Sequence, residues 1–283
     1  MESLLNTQVA LVTGAGRGFG RAIAEALAAA GAAVALLARS GAEVEQVAAG
    51  IRERGGRALA LRADVTSRAE MEAAMAATVG VFGEVTLLVN NAGTAGPFGP
   101  MTATDPDEWW AAQKVHLYAP LIAANAVLPA MLAAGSGRII NIASRAATMF
   151  QPGLSAYVVG KSAQVNWASH LDAEVKDQGV RVFALQPGDA PTAFAHGTLA
   201  SPAAQQHLPG MLDILRDWVA NVDPAPVLKK CGERVVAVAA GRYDGLAGRY
   251  VDVDWNWDEM AATAAQAQVN SVTEPHTAAG DKA

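Results

Sequence analysis

The strongest constraint on the fold of this 283-residue chain is a series of short apolar runs, each followed by a longer segment of helical character. Several runs are apolar throughout, which is typical of strands that helices cover on both faces. Strands that alternate with helices favour right-handed crossovers in a parallel sheet. The predicted strands are residues 9–13, 34–38, 58–61, 85–90, 138–143, 180–186 and 250–253. The sequence therefore predicts an α/β fold with a Rossmann-type, doubly wound, seven-stranded parallel sheet in a single domain, 1–258.

The segments between the runs carry helix boundaries. Gly31 and Gly55 follow two predicted helices, and a capping-type serine, Ser67, begins a third. A longer helix, 105–131, contains Pro120 and Pro129, which we expect to kink or divide it. The other predicted helices are 19–30, 43–54, 67–79, 156–177 and 227–239.

Two segments break the alternation. Residues 189–227 contain several prolines around an amphipathic piece, 211–219, and a connection of this length predicts a substrate loop or lid. Residues 259–283 are rich in alanine, threonine and glutamine, which is consistent with a short docked helix or with disorder. We expect a C-terminal tail that is partly disordered.

Composition narrows the function classes. A formal charge of -6 without a basic stripe argues against a nucleic-acid partner. The apolar stretch 22–38 is interrupted by Glu25 and Gly31, so we expect a helix and a strand there and no membrane association. Cys231 is the only cysteine, and no secretory signal begins the sequence, which together favour the cytoplasm. The histidines lack metal-site spacing, so no metal is expected.

A glycine-rich turn follows the first predicted strand. Gly14, Gly18 and Gly20 would let the chain turn tightly and let a pyrophosphate approach the amides at the start of the first helix. The spacing departs from the common dinucleotide pattern because Phe19 stands at its sixth position. On its own, such a turn is also found in plain strand-to-helix connections.

Further motifs along the chain resemble those of the short-chain dehydrogenase/reductase family, from about residue 8 to about residue 255. Ser144 precedes Tyr157 by thirteen residues, and Lys161 follows Tyr157 by one helical turn, as in the family's catalytic motif. The resemblance implies a nicotinamide cofactor. The residues it implies at the cofactor are Thr13, Gly14, Gly16, Arg17, Gly18, Phe19, Gly20, Arg39, Ser40, Asp64, Val65, Asn91, Ala92, Gly93, Tyr157, Lys161, Pro187, Gly188 and Thr192.

The residues after the second strand favour NADP(H). An acidic residue there would bind the ribose hydroxyls of NADH and repel the 2′-phosphate of NADPH, but the sequence has Arg39 and Ser40. Arg39 and Arg17 can make charge-assisted hydrogen bonds to that phosphate, and Ser40 can donate another. The alternatives are that these arginines are ordinary surface residues, and that the chain is an NAD-dependent dehydrogenase.

The chemistry implied is hydride transfer with a ketone or secondary alcohol. Tyr157 would donate the proton to the carbonyl oxygen, and Ser144 would hydrogen-bond that oxygen. Lys161, one turn away, is expected to lower the pKa of the phenol from its usual value near 10 and to hold the nicotinamide ribose.

One residue departs from the family pattern. His116 occupies a position on the long helix where the family usually has an asparagine associated with a water that links the lysine to solvent. Histidine can hydrogen-bond water, but it is larger and can become charged near pH 6.5. A relay role and a purely structural role both remain open, and a non-catalytic NADP-binding protein is the corresponding alternative function.

The substrate pocket is less defined. Met149 and Phe150 follow Ser144 and are expected to bind the substrate, with Phe194, Met211 and Trp218 as further contributors. These residues suggest an apolar or aromatic carbonyl compound. The resemblance implies a homodimer or homotetramer joined through the two long helices.

Near the C-terminal strand, we expect Trp255 and Trp257 to pack within the fold. Asp252, Asp254 and Asp258 are expected to lie at a solvated sheet edge.

Overall fold

A computed structural model of the chain describes residues 4–273, with side chains described through residue 266. Its seven parallel strands have the order β3-β2-β1-β4-β5-β6-β7. They are β1 (Val9–Thr13), β2 (Ala33–Ala38), β3 (Arg57–Arg62), β4 (Leu87–Asn90), β5 (Gly137–Ile142), β6 (Val180–Gln186) and β7 (Tyr250–Asp252). The predicted doubly wound sheet is confirmed. The strand order reverses between β1 and β4, which is where such sheets form a ligand crevice at their carboxyl ends.

Eleven α-helices accompany the sheet in the described residues. They are α1 (Gly18–Ala29), α2 (Gly41–Glu53), α3 (Arg68–Phe82), α4 (Pro106–Gln113), α5 (Ala119–Ala133), α6 (Ser155–Val175), α7 (Ala193–Ala200), α8 (Pro202–His207), α9 (Pro209–Asn221), α10 (Ala225–Ala239) and α11 (Trp257–Thr273). Each of the five shorter helices that the sequence predicts is present, with ends displaced by no more than a few residues.

The predicted long helix is divided once. A π-helical turn, Lys114–Tyr118, joins α4 to α5, and the Ala119 amide donates to the carbonyl of Lys114, five residues back. Pro120 follows directly and lacks an amide, so the regular ladder could not continue through this point. Pro129 does not divide α5, because buried Val127 and Met131 on either side of it pack toward the sheet.

The helix from Pro106 to Ala133 is, by length and composition alone, long and apolar enough to cross a membrane, with a mean hydropathy of 1.5 in its most apolar window. The same property is common in helices that pack on a core, and part of this window is buried within the fold. It therefore carries little weight as an indication of a membrane span.

The sheet separates two apolar layers. Ala10 and Val12 of β1 face the layer that contains α1 and α10, whereas Leu11 faces the layer that contains α5 and α6. The same alternation runs through β4 and β5, so Asn90 and Asn141 share the α5–α6 side with Leu88 and Ile139. Tyr157 and Lys161 on α6, which the sequence predicts to be catalytic, therefore lie in the layer toward which these two asparagines point.

The segment 189–227 is more regular than the sequence predicts. It contains α7, α8 and α9, which share a small apolar cluster of Phe98, Ala204, Leu208 and Leu212 with the loop after β4. Pro202 and Pro209 occupy first helical positions, where a missing amide costs nothing.

At the C-terminus, α11 covers residues through Thr273. The rest of the expected tail, 274–283, lies outside the described residues. Trp257 is buried against Tyr243, with ring centroids 5.1 Å apart.

Candidate active site

The glycine turn between β1 and α1 is built for close approach of main chain. Gly14 and Gly18 have φ angles of +64° and +54°, which favour glycine. A Cβ on Gly20 would lie 2.2 Å from the Gly14 carbonyl oxygen, so no side chain fits there. Arg17 precedes α1 and makes no side-chain capping hydrogen bond within the described structure. The first-turn amides of α1 are therefore available to an anion such as a pyrophosphate.

Thr13 and Asn91 fix this turn to the end of β4. The Thr13 hydroxyl oxygen accepts from the amides of Asn91 and Ala92, at 3.0 and 3.1 Å. The Asn91 side-chain amide donates to the carbonyls of Thr13 and Gly14, at 2.9 and 3.1 Å. These hydrogen bonds join the glycine turn to the residues after β4, so the two motifs form one edge of the crevice.

The adenosine side of the crevice carries Ser40, Arg39 and Asp64. Ser40 caps α2 and accepts from the Glu43 amide, which leaves its hydroxyl proton free to donate. Asp64 accepts from the amide and hydroxyl of Thr66, at 2.8 and 2.7 Å. These bonds lower the pKa of Asp64 despite opposition from burial, and the charge of Arg39 adds to the lowering. Asp64 is thereby held as a carboxylate in its own turn.

Glu43, which no sequence motif singled out, lies against the glycine turn. Its carboxylate is 3.9 Å from the guanidinium of Arg17, and a Cβ on Gly16 would lie 2.8 Å from the same side chain. Both partners of the pair are substantially exposed, so the pair contributes little to stability. Glu43 nevertheless places a negative charge beside an arginine that was expected to bind phosphate.

The remaining residues of the expected cofactor site surround this edge. Thr13, Val65, Asn90 and Ala92 line a small cavity near the π turn. Phe19 packs against the α1 layer, and Gly93 lies against the imidazole of His116, where a Cβ would be 3.5 Å from its Cε1.

The loop after β6 reaches the glycine turn. Pro187 and Gly188 begin the loop, and Gly188 has a φ of +93°. Thr192 ends it as the residue before α7, and a Cβ on Gly18 would lie 3.4 Å from the Thr192 side chain. The predicted nicotinamide-side motif therefore closes one side of the crevice that the glycine turn opens.

Ser144 and Tyr157 meet at the carboxyl end of β5. Ser144 begins a short 3-10 helix, Arg145–Thr148, and its hydroxyl oxygen accepts from the Ala146 amide at 3.1 Å. Tyr157 lies in the first turn of α6, close enough to Ser144 for the serine side chain to act on the pKa of the phenol. Since the oxygen of Ser144 already accepts from Ala146, its proton is the part available to the phenol or to a bound carbonyl oxygen.

The prediction that the pKa of Tyr157 is lowered is wrong as far as the groups of the protein itself are concerned, because together they raise it. Burial raises the pKa of the phenol, the hydrogen bond from Ser144 opposes this, and the nearby charge of Asp189 raises it further. The spacing between Tyr157 and Lys161 along α6 was a correct sequence observation, but it does not reveal how far the fold shields the half-buried Tyr157 from water.

Lys161 is buried among neutral acceptors. Its ammonium donates to the Ile142 carbonyl at 2.6 Å and to Gln164 Oε1 at 3.1 Å, and the residue is only 4% exposed. Burial lowers the pKa of Lys161 to about 7. Its charge is therefore sensitive to pH near neutrality, and any anion or hydroxyl that reaches it would change that balance.

His116 lies in the π turn beside Tyr157. The two rings are 5.5 Å apart in an edge arrangement. His116 Nε2 is 2.9 Å from the Thr94 carbonyl oxygen, so this nitrogen carries the proton. Burial, reinforced by the charge of Lys161, lowers the pKa of His116 to about 3. Burial and the charge of Lys161 therefore favour the neutral imidazole near pH 6.5.

Gly160 makes room for His116. A Cβ at Gly160 would lie 2.9 Å from His116 Cβ and 3.0 Å from Gln113 Oε1. Glycine in the middle of a helix costs about 0.5–1 kcal/mol relative to alanine, so its use here has a steric reason. A glycine directly before Lys161, inside a predicted helix, was the signal in the sequence that could have revealed a crowded π turn.

A buried polar cluster surrounds Lys161. Gln113 donates to the Ala156 carbonyl at 2.8 Å, and the Asn90 side chain donates to that of Asn141 at 2.9 Å. Within the described residues, four buried polar atoms of this region have no hydrogen-bond partner: Gln113 Oε1, His116 Nδ1, Asn141 Nδ2 and Gln164 Nε2. Two of these atoms accept and two donate, which suits bound water or a polar ligand group.

Met149 and Phe150 are not brought together with Tyr157. The chain turns outward after Thr148, and both side chains line a broad surface groove with Leu121, Val159 and Trp167. Phe150 is 99% exposed. The ring of Phe194 on α7, in contrast, packs against the ring of Tyr157, with the ring centroids 5.4 Å apart. The apolar wall at the phenol therefore comes from the segment after β6.

The described residues contain no group of histidine, cysteine or acidic side chains that could hold a metal ion. What they contain is a glycine cradle, an uncapped helix terminus and a serine–tyrosine pair at one end of a parallel sheet. A sequence model of the family described as short chain dehydrogenase matches residues 8–202. This chain belongs to the short-chain dehydrogenase family.

Individual members of this family resemble the chain over most of its length. The short chain dehydrogenase tazN of Aspergillus terreus is 34% identical over 272 residues, which are 93% of this chain and 56% of that protein. A 3-oxoacyl-[acyl-carrier-protein] reductase of Synechocystis is 36% identical over 202 residues, 71% of this chain and 81% of that protein. This chain thus spans little more than half the length of the Aspergillus relative.

Solved structures share the architecture. The crystal structure of a metagenomic short-chain oxidoreductase in complex with NADP matches with a TM-score of 0.68 and 30% sequence identity. The match covers 84% of this chain and 93% of that one. This short-chain dehydrogenase is therefore an oxidoreductase of the nicotinamide-binding type.

Proposed function

We propose that this short-chain dehydrogenase is an NADP(H)-dependent ketone reductase or alcohol dehydrogenase. The observation that carries the proposal is the juxtaposition of Ser144 and Tyr157 at the same sheet edge as the glycine turn, with buried Lys161 one helical turn from Tyr157. The crevice fits a dinucleotide, because Gly20 tolerates no side chain and the first amides of α1 are uncapped in the described residues. Bound NADPH supplies the hydride.

The protein's own residues supply the proton. Because burial raises the pKa of Tyr157, the phenol is protonated at neutral pH, which is the state a proton donor needs. Ser144 donates a hydrogen bond to the carbonyl oxygen and stabilises the negative charge that develops there. By resemblance, Lys161 holds the nicotinamide ribose. We extend the proposal to His116, whose unpartnered Nδ1 accepts from a water on the proton path.

The cofactor preference rests on charge. Arg17 is largely exposed at the turn, Arg39 acts on Asp64 through its charge, and Ser40 has a proton to donate. These groups suit a 2′-phosphate. The NADP complex of the metagenomic oxidoreductase supports this choice by similarity.

The proposed substrate is an apolar or aromatic carbonyl compound. Phe194 lies against the phenol ring and is 40% exposed, so it offers an apolar face where the carbonyl would bind. The name of the Synechocystis relative, a 3-oxoacyl reductase, supports reduction of a ketone as the reaction type.

We also propose a cytoplasmic homodimer or homotetramer. The groove on the α5–α6 face is lined by apolar side chains, among them Leu121, Met149 and Phe150, which are 49%, 51% and 99% exposed. Contiguous apolar surface of this kind is typical of interfaces. Sedimentation of the wild type and of Phe150→Glu tests the assembly, and a monomeric wild type would contradict it.

Fluorescence titration with NADPH and NADH tests the cofactor preference. The wild type is expected to bind NADPH at least about 10-fold more tightly, and Arg39→Ala should remove most of that difference by losing a charge-assisted hydrogen bond. Arg21→Ala is the matched control, since Arg21 is an exposed arginine paired with Glu25 on α1. Equal affinity for both nucleotides in the wild type would overturn the NADP assignment.

An NAD-dependent dehydrogenase of the same fold is the second candidate, and Glu43 is the observation that favours it. Its carboxylate stands 3.9 Å from Arg17, where it repels a phosphate. Turnover of a panel of aryl and alkyl ketones separates the candidates. For each ketone, the oxidation of NADPH and of NADH is measured. Binding of NADPH without turnover of any ketone would instead indicate a non-catalytic NADP-binding protein.

A further inference from the structure

Arg145 directly follows Ser144 and binds three carboxylates with three different nitrogens. Its Nη1 donates to Asp189 at 2.7 Å, its Nε to Asp252 at 3.2 Å, and its Nη2 to Asp254 at 3.4 Å. A planar guanidinium can satisfy several acceptors in fixed directions, which a lysine cannot do. The first residue of the 3-10 helix after Ser144 is thereby held from three sides.

The partners of Arg145 lie on elements that are remote from it in sequence. Asp189 directly follows Pro187 and Gly188, in the loop that reaches the glycine turn. Asp252 ends β7, and Asp254 lies just beyond it. One side chain therefore connects the Ser144 turn to the loop after β6 and to the C-terminal strand.

The main chain of Arg145 makes a second link to the same loop. Its amide donates to Gln186 Oε1 at 3.1 Å, and Gln186 Nε2 donates to Asp189 Oδ1 at 3.2 Å. Gln186 is 2% exposed, so these bonds are shielded from water. Backbone and guanidinium together hold Gln186 and Asp189, the residues that flank Pro187 and Gly188.

The three ion pairs differ in burial. Asp252 is 3% exposed, and Arg145 is its only ion-pair partner in the described part of the chain. The expectation of a solvated edge is wrong for this aspartate. Asp254 is half exposed and has a second partner, Lys230, at 2.7 Å. Loss of Arg145 would leave a buried carboxylate unpaired, whereas loss of Asp254 removes only an exposed pair.

We propose that Arg145 is a positioning residue that fixes the Ser144 turn and the 187–192 loop relative to each other. The inference rests on the proposed function, because it assigns the Ser144 hydroxyl to the substrate oxygen and the loop to the nicotinamide side. Arg145 does not touch the reacting atoms. It acts by keeping the Ser144 hydroxyl and the loop that carries Thr192 at a fixed separation while substrate and nucleotide bind between them.

Loss of this positioning is expected to lower mainly kcat. A misplacement of about 1 Å in a reacting geometry can reduce a rate about 100-fold. We expect Arg145→Met to reduce kcat for ketone reduction about 10- to 100-fold. The KM for NADPH should change much less, because the glycine turn and the residues at the adenosine side are untouched. Arg145→Lys retains the charge and should recover part of the loss.

Asp254→Asn is the matched control for charge. It removes one carboxylate from the same guanidinium, but an exposed one with a second partner, and kcat should stay within about 2-fold of the wild type. Equal losses in Arg145→Met and Asp254→Asn, or full activity in Arg145→Met, would overturn the proposal.

Hydrogen–deuterium exchange of the wild type and variants tests the link without turnover. In Arg145→Met, amides in 144–149 and 187–192 should both exchange faster, and Arg145→Lys should reverse part of the change in both segments. Unchanged exchange, or a change in only one segment, would overturn the link. If the wild type reduces no ketone, the proposed function fails, and the exchange result still decides whether Arg145 joins the two segments.

Discussion

The crevice has a proposed nucleotide end and a proposed catalytic end, and the two ends are built by different means. At the nucleotide end, Gly14, Gly18 and Gly20 shape the main chain, and Thr13 with Asn91 satisfies the exposed backbone groups. At the catalytic end, side chains from α4, the π turn, β5 and α6 converge, and four of their buried polar atoms lack partners in the described residues. Main-chain geometry tolerates changes in surrounding side chains. A packed polar cluster does not, so a change at one position must be matched at another.

His116 and Gly160 illustrate this dependence. The family resemblance leads us to expect an asparagine at 116, and the larger histidine is accommodated because residue 160 has no side chain. At the glycine turn, the spacing Gly-three-Gly-one-Gly forms the cradle, and hydrogen bonds of Thr13 and Asn91 hold it in place.

The largest expected effect is on kcat, and it distinguishes the catalytic end of the crevice from the nucleotide end. Tyr157→Phe removes the proton donor, and kcat for ketone reduction should fall about 10²- to 10⁴-fold. Affinity for NADPH, measured by fluorescence, should change little because the glycine turn is unaltered. Tyr118→Phe is the matched control, since Tyr118 lies in the surface groove and is 40% exposed. Unchanged turnover in Tyr157→Phe would remove the phenol from the mechanism.

The pH dependence of the free energy of unfolding tests whether His116, at the catalytic end, is buried as a neutral group. Burial lowers the pKa of His116 to about 3, below its unfolded value of 6.5. Its contribution to stability is therefore fully present above pH 6.5 and is lost as pH falls toward 3. Between pH 6.5 and 3, the free energy of unfolding of the wild type should fall by about 1.4 kcal/mol per pH unit more than that of His116→Asn. Denaturant unfolding at pH 7.5, 6 and 5 measures the difference, and parallel curves would show that His116 is not buried as a neutral group.

Steric matching at the catalytic end is tested by Gly160→Ala. The new methyl would lie 2.9 Å from His116 Cβ, and the free energy of unfolding should fall by about 1–3 kcal/mol. Gly80→Ala is the control, because a Cβ there meets nothing within 4 Å in the last turn of α3. That change should stabilise the protein by about 0.5–1 kcal/mol. Stabilisation by both substitutions would show that the π turn has room to spare.

The smallest effect concerns the nucleotide end. Glu43→Gln removes the carboxylate beside Arg17, and NADPH should bind about 2- to 5-fold more tightly because an exposed charge contributes less than about 1 kcal/mol. NADH, which lacks the 2′-phosphate, should gain less. Glu45→Gln, at another exposed acid on α2, controls for net charge. Equal gains for both nucleotides would place Glu43 away from the phosphate.

Most of the sheet could be predicted from sequence, because strands covered on both faces appear as continuous apolar runs. Helices in 189–227 were missed since Pro202 and Pro209 suggested breaks, although both begin helices. The motifs also located Ser144, Tyr157 and Lys161. The outward path of Met149 and Phe150 could not be predicted, because it depends on the 3-10 turn after Ser144.

The electrostatics of the site could be predicted least. Spacing along α6 puts Lys161 near Tyr157, but burial decides the direction in which the pKa of each group shifts. The Arg145 contacts join residues 145, 189, 252 and 254, which no local pattern relates.

A crystal structure of the protein with NADPH and an unreactive ketone analogue tests the central claim most directly. The account predicts that the phenol oxygen of Tyr157 and the hydroxyl of Ser144 both lie about 3 Å from the carbonyl oxygen, with the carbonyl carbon about 3.5 Å from C4 of the nicotinamide. A complex in which the phenol points away from the carbonyl in every subunit would contradict it.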